Sequence, residues 1–345
     1  MRTATTVEFG NDWHDVADFA VEAERIGLDV CWVAEAWGAD AVAPLGYLAA
    51  RTERMMLGSA VVQLATRTPV AIAMAALTLQ HLSDGRFLLG LGPSGPQVIE
   101  GLHGQPFARP LARMRDTVAI VRAACAGERV AYRGATVEIP LPGGQGRPMR
   151  LATDPAEVPV YLAALAPGML RLCGEVADGW LGTSFVPEGA AAYLEPLREG
   201  ARAAGRALAD LDVCQGAEVA FAVDEDELRG MVAGRKAELA FSLGGMGTAD
   251  TNFYNDAYSR QGWADVAAEV RAAWQAGDRA RAAALITDDM VLATTLIGTE
   301  AMVRERLRVW RDAGVDTVRL YPAGDTVAAR LETLGRAIDL VRATD

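Results

Sequence analysis

Lysine is nearly missing from this chain. Its 345 residues carry 33 cationic side chains, and Lys236 is the single lysine among them, so Schiff-base chemistry has one place to occur. Histidine is almost as scarce. His14, His81 and His103 show no H-x-x-x-H spacing, which leaves a histidine-built metal site without support. Cys31, Cys125, Cys173 and Cys214 lie far apart with no C-x-x-C among them, the usage of buried thiols rather than of a metal or disulfide framework. Positive charge is in deficit: a net charge of −12 excludes the basic footprint that nucleic acid demands. No apolar run reaches the roughly 18 residues of a membrane span, and the opening MRTATTVEFGNDWHD has no signal-peptide core. The expectation is a cytoplasmic protein whose partner is a small molecule, with neither nucleic acid nor membrane.

What the chain does have is a 51% hydrophobic composition distributed in short alternating blocks. Apolar runs predict strands over 3–9, 29–34, 55–62, 86–91, 158–165, 179–183, 212–222 and 317–321. Helical spacing falls between them. Val16, Phe19, Ala23 and Ile26 share one face of a helix over 12–26, and Gly27 stops it. Thr68-Pro69 opens a helix to about residue 82. Further helices are expected over 111–126, 168–177 and 190–204, and Leu331, Leu334, Ile338 and Val341 mark a closing one. Eight alternations of strand and helix signify an α/β fold with a parallel sheet and helical crossovers. The helix after Pro69 is apolar nearly all round, predicting one face on the sheet and the other on a second subunit, hence a homodimer. Two stretches exceed simple crossovers. Residues 104–157 contain a hairpin around AYRGATVEIP, and residues 224–314 contain several helices with SLGGMGTADTN and ITDD read as loop.

Residues 90–95 read GLGPSG, the letters of a dinucleotide fingerprint. The rest of that fingerprint is missing. Pro96 follows directly, no βαβ unit surrounds the glycines, and the acid at the right spacing, Asp116, falls inside a helix. A structural turn, or a backbone thinned at Gly92, Ser94 and Gly95 to admit a flat ring, are the competing readings.

The tracts LATRTP (64–69), QHLSDGR (80–86), GRFLLGLGPSGPQVIEGLHG (85–104), PVYLAALAPGMLRLCGEVADGWLG (159–182) and GVDTVRLYPAGDT (314–326) together resemble the bacterial luciferase-like monooxygenase family. More narrowly they resemble its branch that uses the 5-deazaflavin coenzyme F420. The resemblance implies a (β/α)8 TIM barrel spanning 1–345 as one domain, with insertions after strands 4 and 7. It implies a non-prolyl cis peptide at Ala60-Val61 backing the ring, with Gln63 beside it and Gly92, Pro93, Ser94 and Gly95 along the next stave. It also implies a phosphate site at Leu165, Ala166, Pro167, Gly168 and Met169, where the first amides of a helix and its dipole attract an anion; an ordinary helix start is the alternative. Glu35, ending strand two in WVAEAWG, stands at the position of an acidic residue near the ring and is the catalytic candidate. Phe9, Trp13, Trp37 and Tyr321 are candidates to wall the substrate pocket, though each also suits plain core. Ala36 and Pro96 replace the histidine and glutamate of the family's sugar-phosphate dehydrogenases, which argues against that reaction. Arg319 is expected to pair with a local acid, Arg67 with neither a local acid nor a cofactor tail, and Glu100 with His103 to be a solvated or capping pair. The function implied is hydride transfer between F420 and a small organic substrate. The alternatives are an FMNH2-dependent monooxygenase and a non-catalytic flavin-binding homologue.

Overall fold

A computed structural model describes residues 1–10, 12–247 and 252–344. Among them the strands are β1 (Arg2–Val7), β2 (Val30–Ala34), β3 (Met56–Ala60), β4 (Val62–Gln63), β5 (Phe87–Gly92), β6 (Tyr132–Arg133), β7 (Glu138–Ile139), β8 (Val160–Ala163), β9 (Gly179–Leu181), β10 (Asp212–Phe221), β11 (Leu296–Gly298) and β12 (Thr317–Pro322). Parallel pairing runs from β12 through β1, β2, β3, β5, β8, β9 and β10 and returns to β12. The sheet is therefore closed, with helices around it. It is the expected TIM barrel. β6 and β7 form the hairpin read from AYRGATVEIP.

The staves are largely buried on both sides because each faces the axis inward and helices outward; every residue of β5, FLLGLG, is buried. Thr68 caps the helix Pro69–Leu82 by accepting the amide of Ala71 at 3.3 Å, with Pro69 at its first position. At the N-terminal end an acid recurs before the strands. Asp29, Asp178 and Asp316 accept the amides of Thr3 (2.8 Å), Val160 (2.7 Å) and Val213 (2.9 Å), each on a neighbouring stave. These carboxylates satisfy strand ends that would otherwise lack partners.

The structure adds elements that the pattern did not predict, the short helix Pro96–Ile99 among them, and re-reads two tracts. A helix Val42–Ala49 lies between β2 and β3; the Asp40 carboxylate accepts its first amides, those of Val42 at 2.9 Å and Ala43 at 3.1 Å. β11 extends the sheet beside the far end of β10. ITDD is not loop: Thr287 caps the helix Asp288–Thr294. Likewise the tract 242–252 begins inside the helix Glu225–Gly244, and its residues 248–251 lie outside the described residues. The helices from Glu225 to Thr294 enclose an apolar cluster of their own, including Val232, Leu243, Val270 and Met290. The helix Glu300–Asp312 packs on the barrel instead, through Val303, Leu307 and Trp310.

Candidate active site

Side chains alternate across a strand, so parity decides which residues face the axis. Ala4, Val30, Trp32, Leu88, Tyr161 and Cys214 form the interior cluster, whereas Val7, Cys31, Val33, Leu89, Val213 and Leu320 belong to the layer under the helices. The lower interior is filled. Trp32 and Tyr161 meet edge to face, ring centroids 5.1 Å apart, and a Cβ on Gly58 or Gly179 would stand 2.3 or 2.1 Å from those rings. Burial raises the thiols of Cys31 and Cys214 to about 12, so neither is a nucleophile.

Above that floor the same alternation brings small residues to the axis: Ala34, Ala60, Gly90, Gly92, Ala163 and Gly216. Ala34, Ala60, Ala163 and Gly216 are only half-buried although they face inward, so the barrel opens to solvent here. The Ala60–Val61 peptide is cis, as the family resemblance implies, and both residues pack on the interior cluster. Gly90 and Gly92 lie against this bulge. A Cβ on Gly90 would fall 1.8 Å from the carbonyl oxygen of Ser59, and one on Gly92 2.3 Å from Cγ2 of Val61. Gly95 has nothing within 4 Å of that position. Gly90 and Gly92 therefore let two strands approach closely, and Gly95 opens a helix of only four residues, Pro96–Ile99, not the long helix of a dinucleotide fingerprint. Ser94 has φ +61° and, with Pro93, is half-buried at the rim.

Polar side chains gather on the rest of the wall. Gln63 is 2% exposed; its Nε2 donates to the carbonyl of Ala36, while its Oε1 has no partner among the described residues. The Thr6 hydroxyl is buried without a partner. Arg319 and Tyr321 on β12 align with Gly216 and Glu218 on β10. Glu218 pairs with Arg235 of the helix Glu225–Gly244 at 2.5 Å; burial raises its carboxyl, against the pull of Arg235. Glu218 went unremarked in the sequence because it sits inside a strand run, yet its parity and its place near a strand's C-terminal end would have exposed it.

Glu35 is placed differently from expectation. It shares the parity of Cys31 and Val33 and turns away from the axis. Arg67 donates to both its oxygens, Nη1 to Oε1 at 2.6 Å and Nη2 to Oε2 at 2.9 Å, and the amides of Ala41 (3.0 Å) and Gln63 (3.3 Å) add to them. With both oxygens engaged, Glu35 fixes the bulged strand. Arg67 thus does pair with a local acid, and Arg319 does not: its Nη2 donates to the carbonyl of Gly182. Strand parity reversed both expectations. Glu100 shows no bond to His103 among the described residues; its Oε1 accepts the amide of Phe107, in the loop that follows, at 3.1 Å.

The helix Pro167–Val176 starts at the mouth as expected, but the amides of Met169 and Leu170 are already given to the carbonyl of Ala166. Of the amides expected to be free, that of Gly168 alone has no partner among the described residues. Arg260 stands beside it, donating to the carbonyl of Leu165 at 2.8 Å. Phe9 is 3% exposed in the outer cluster, its ring 5.7 Å from Trp13. Trp13, Trp37 and Tyr321 reach solvent. A depression of about 840 Å³ lies at the opposite end among Asp29, Asp178, Asp212 and Asp316. Its carboxylates hold strand ends and Arg2, so it is structural.

The chain is a closed parallel barrel with small residues on its inner face near the C-terminal mouth. The sequence profile described as luciferase-like monooxygenase matches residues 1–317, and the chain belongs to that family. It is 41% identical over 323 residues to a protein of Mycobacterium tuberculosis provisionally named a coenzyme F420-dependent oxidoreductase, covering 91% of this chain and 92% of that one. Its fold is similar to the coenzyme F420-dependent tetrahydromethanopterin reductase from Methanopyrus kandleri, with a TM-score of 0.80, 23% identity and 97% of each chain covered. It is also similar to the oxygenating constituent of 3,6-diketocamphane monooxygenase from Pseudomonas putida in complex with FMN, with a TM-score of 0.69, 17% identity and 99% and 98% covered. The family is one of oxidoreductases. Among the described residues no helix is long and apolar enough to cross a membrane.

Proposed function

We propose that the chain is an F420-dependent oxidoreductase that transfers a hydride between the 5-deazaflavin and a small organic substrate at the barrel mouth. The observation that carries this reading is the slot. Ala34, Ala60 and Ala163 face inward half-buried, beside Gly92 packed on Val61 and Gly216 packed on Tyr321, and this wall is bordered by the Oε1 of Gln63 and the hydroxyl of Thr6, both buried and unpartnered among the described residues. A flat heterocycle with polar edges fits such a wall, and orphaned buried polar atoms call for a partner. The name of the Mycobacterium tuberculosis relative supports F420 as that heterocycle.

In this reading Ala60, Val61 and Gln63 back the ring and Gly92, Pro93, Ser94 and Gly95 border it. The Gly168 amide, the helix dipole and Arg260 offer an anion site beside Leu165, Ala166, Pro167 and Met169. When bound, the cofactor supplies the hydride chemistry; the protein supplies orientation and a dry pocket. Trp37, Trp13 and Tyr321 offer apolar surface to the substrate, with Phe9 as support behind Trp13. Glu35 acts as a positioning residue through Gln63 and Arg67. Four buried, free thiols suit a cytoplasmic setting. Met74 and Leu82 project from the helix Pro69–Leu82 at 54% and 58% exposure, which supports association of two copies.

An FMNH2-dependent monooxygenase would use the same slot, and the FMN complex of the Pseudomonas putida neighbour supports that second reading. Fluorescence titration with each cofactor separates the two. F420 is expected to bind tightly and to exchange electrons with substrates anaerobically; tight FMN binding without F420 binding would overturn the proposal.

A further inference from the structure

Among the described residues Arg319 is a buried cation without a paired anion. It is 6% exposed, on the interior face of β12, and among the described residues its guanidinium makes one hydrogen bond, from Nη2 to the carbonyl of Gly182. Its Nε is buried with no partner. The nearby acids are already matched. Asp212 at the foot of the barrel binds Arg2 at 2.7 Å, the Tyr161 hydroxyl at 2.9 Å and the Thr317 hydroxyl at 2.8 Å. Glu218, one step further up β10, has Arg235. A guanidinium keeps its charge when buried, and leaving that charge uncompensated costs several kcal/mol by general experience of desolvated ions. A site that retains one does so for something that arrives.

Position says what arrives. Arg319 aligns with Gly216, in the layer of small residues, and Tyr321 lies above it on the same face, ring centroid 6.0 Å from the guanidinium carbon. A phosphate or carboxylate tail is met at the rim, where Arg260 and the Gly168 amide stand. A flat group inserted between the staves at the mouth would bring its edge toward this charge, past Tyr321, which packs over Gly216. We propose that Arg319 receives the electron-rich edge of the bound redox ring and so favours its reduced form over its oxidised form. This rests on the reading of the slot as a ring site. Adding a hydride raises electron density on the pyrimidine end of a deazaflavin or flavin, and a fixed cation nearby stabilises that density.

The test compares dissociation constants of oxidised and reduced F420, with FMN in a parallel arm, for the wild type, Arg319→Lys and Arg319→Met, together with the potential of the bound couple. Arg319→Met is expected to lose at least tenfold of the preference for the reduced ring, which for two electrons is about 30 mV; Arg319→Lys should keep most of it. If Arg319→Met weakens both forms equally, or leaves the ratio unchanged, the inference is overturned while the ring site stands. Should Arg319→Met fail to fold, the wild type decides: it must bind the reduced ring more tightly than the oxidised one, and equal or reversed affinity contradicts the inference. Binding of neither cofactor to the wild type would remove the ring site and this inference together.

Discussion

Ser59 and Gly90 exchange hydrogen bonds across the barrel wall: the Ser59 hydroxyl donates to the carbonyl of Gly90 at 2.9 Å and accepts its amide at 3.0 Å. The approach is possible because residue 90 has no Cβ, and it fastens β5 to the bulge that shapes the slot. Gly90→Ala should therefore destabilise the fold by at least about 3 kcal/mol through overpacking against backbone. Gly95→Ala, at φ −136° with open space around it, should cost less than about 1 kcal/mol. Urea unfolding of both variants checks this. A dinucleotide fingerprint would show the opposite sensitivity for cofactor affinity, with Gly95 intolerant.

The Glu35–Arg67 pair makes the second prediction. Its side chains are 7% and 22% exposed, so removing one partner strands the other in a poorly solvated place. Glu35→Gln or Arg67→Met alone should each cost about 2–3 kcal/mol in thermal or urea unfolding. The double variant should cost clearly less than the sum. Additive costs would mean that the pair does not act as a unit.

Glu24 links stability to pH. Burial opposes its ionisation, but the amides of Met55, Arg54 and Glu53 donate to its carboxylate and together hold its carboxyl below the ordinary value of 4.5. Its contribution is thus complete above about pH 4.5 and is lost as pH falls through the lower folded-state value. Glu24→Gln should lower stability at pH 7 by about 1.5 kcal/mol and flatten the acid limb of a stability-versus-pH curve. An unchanged limb would assign the acid sensitivity to other carboxylates.

Ala163 and Gly92 converge on Val61, with the Ala163 Cβ 3.4 Å from where a Cβ on Gly92 would stand. Ala163→Leu places three more carbons in the slot without burying charge. F420 affinity should fall more than tenfold, about 1.4 kcal/mol, with the melting temperature within a few degrees of the wild type. Undiminished binding would put the ring elsewhere.

Much of the barrel was legible because eight staves buried on both sides read as short apolar runs, and caps such as Thr68 carry their mechanism in the sequence. The helix Val42–Ala49 was not, since its short apolar run has no clear face, although Asp40 accepts its first amides. The site was legible in outline only. Alternation along β2 already turns Glu35 from the axis, and alternation along β12 turns Arg319 toward it, but the inner parity becomes clear only when neighbouring staves are aligned. The bulge at Ala60 and Val61 adds a local exception, placing two consecutive residues on the interior. Arg260 reaches Leu165 across 95 positions of sequence, a proximity that only the fold creates.

The most direct measurement is the crystal structure of the protein soaked with F420. Electron density for a tricyclic ring is expected across the mouth, lying against Gly92, Ala163 and the Ala60–Val61 bulge, with one edge toward Arg319. A ring bound outside that slot, or a nicotinamide dinucleotide seated at Gly90–Gly95 in its place, would contradict it.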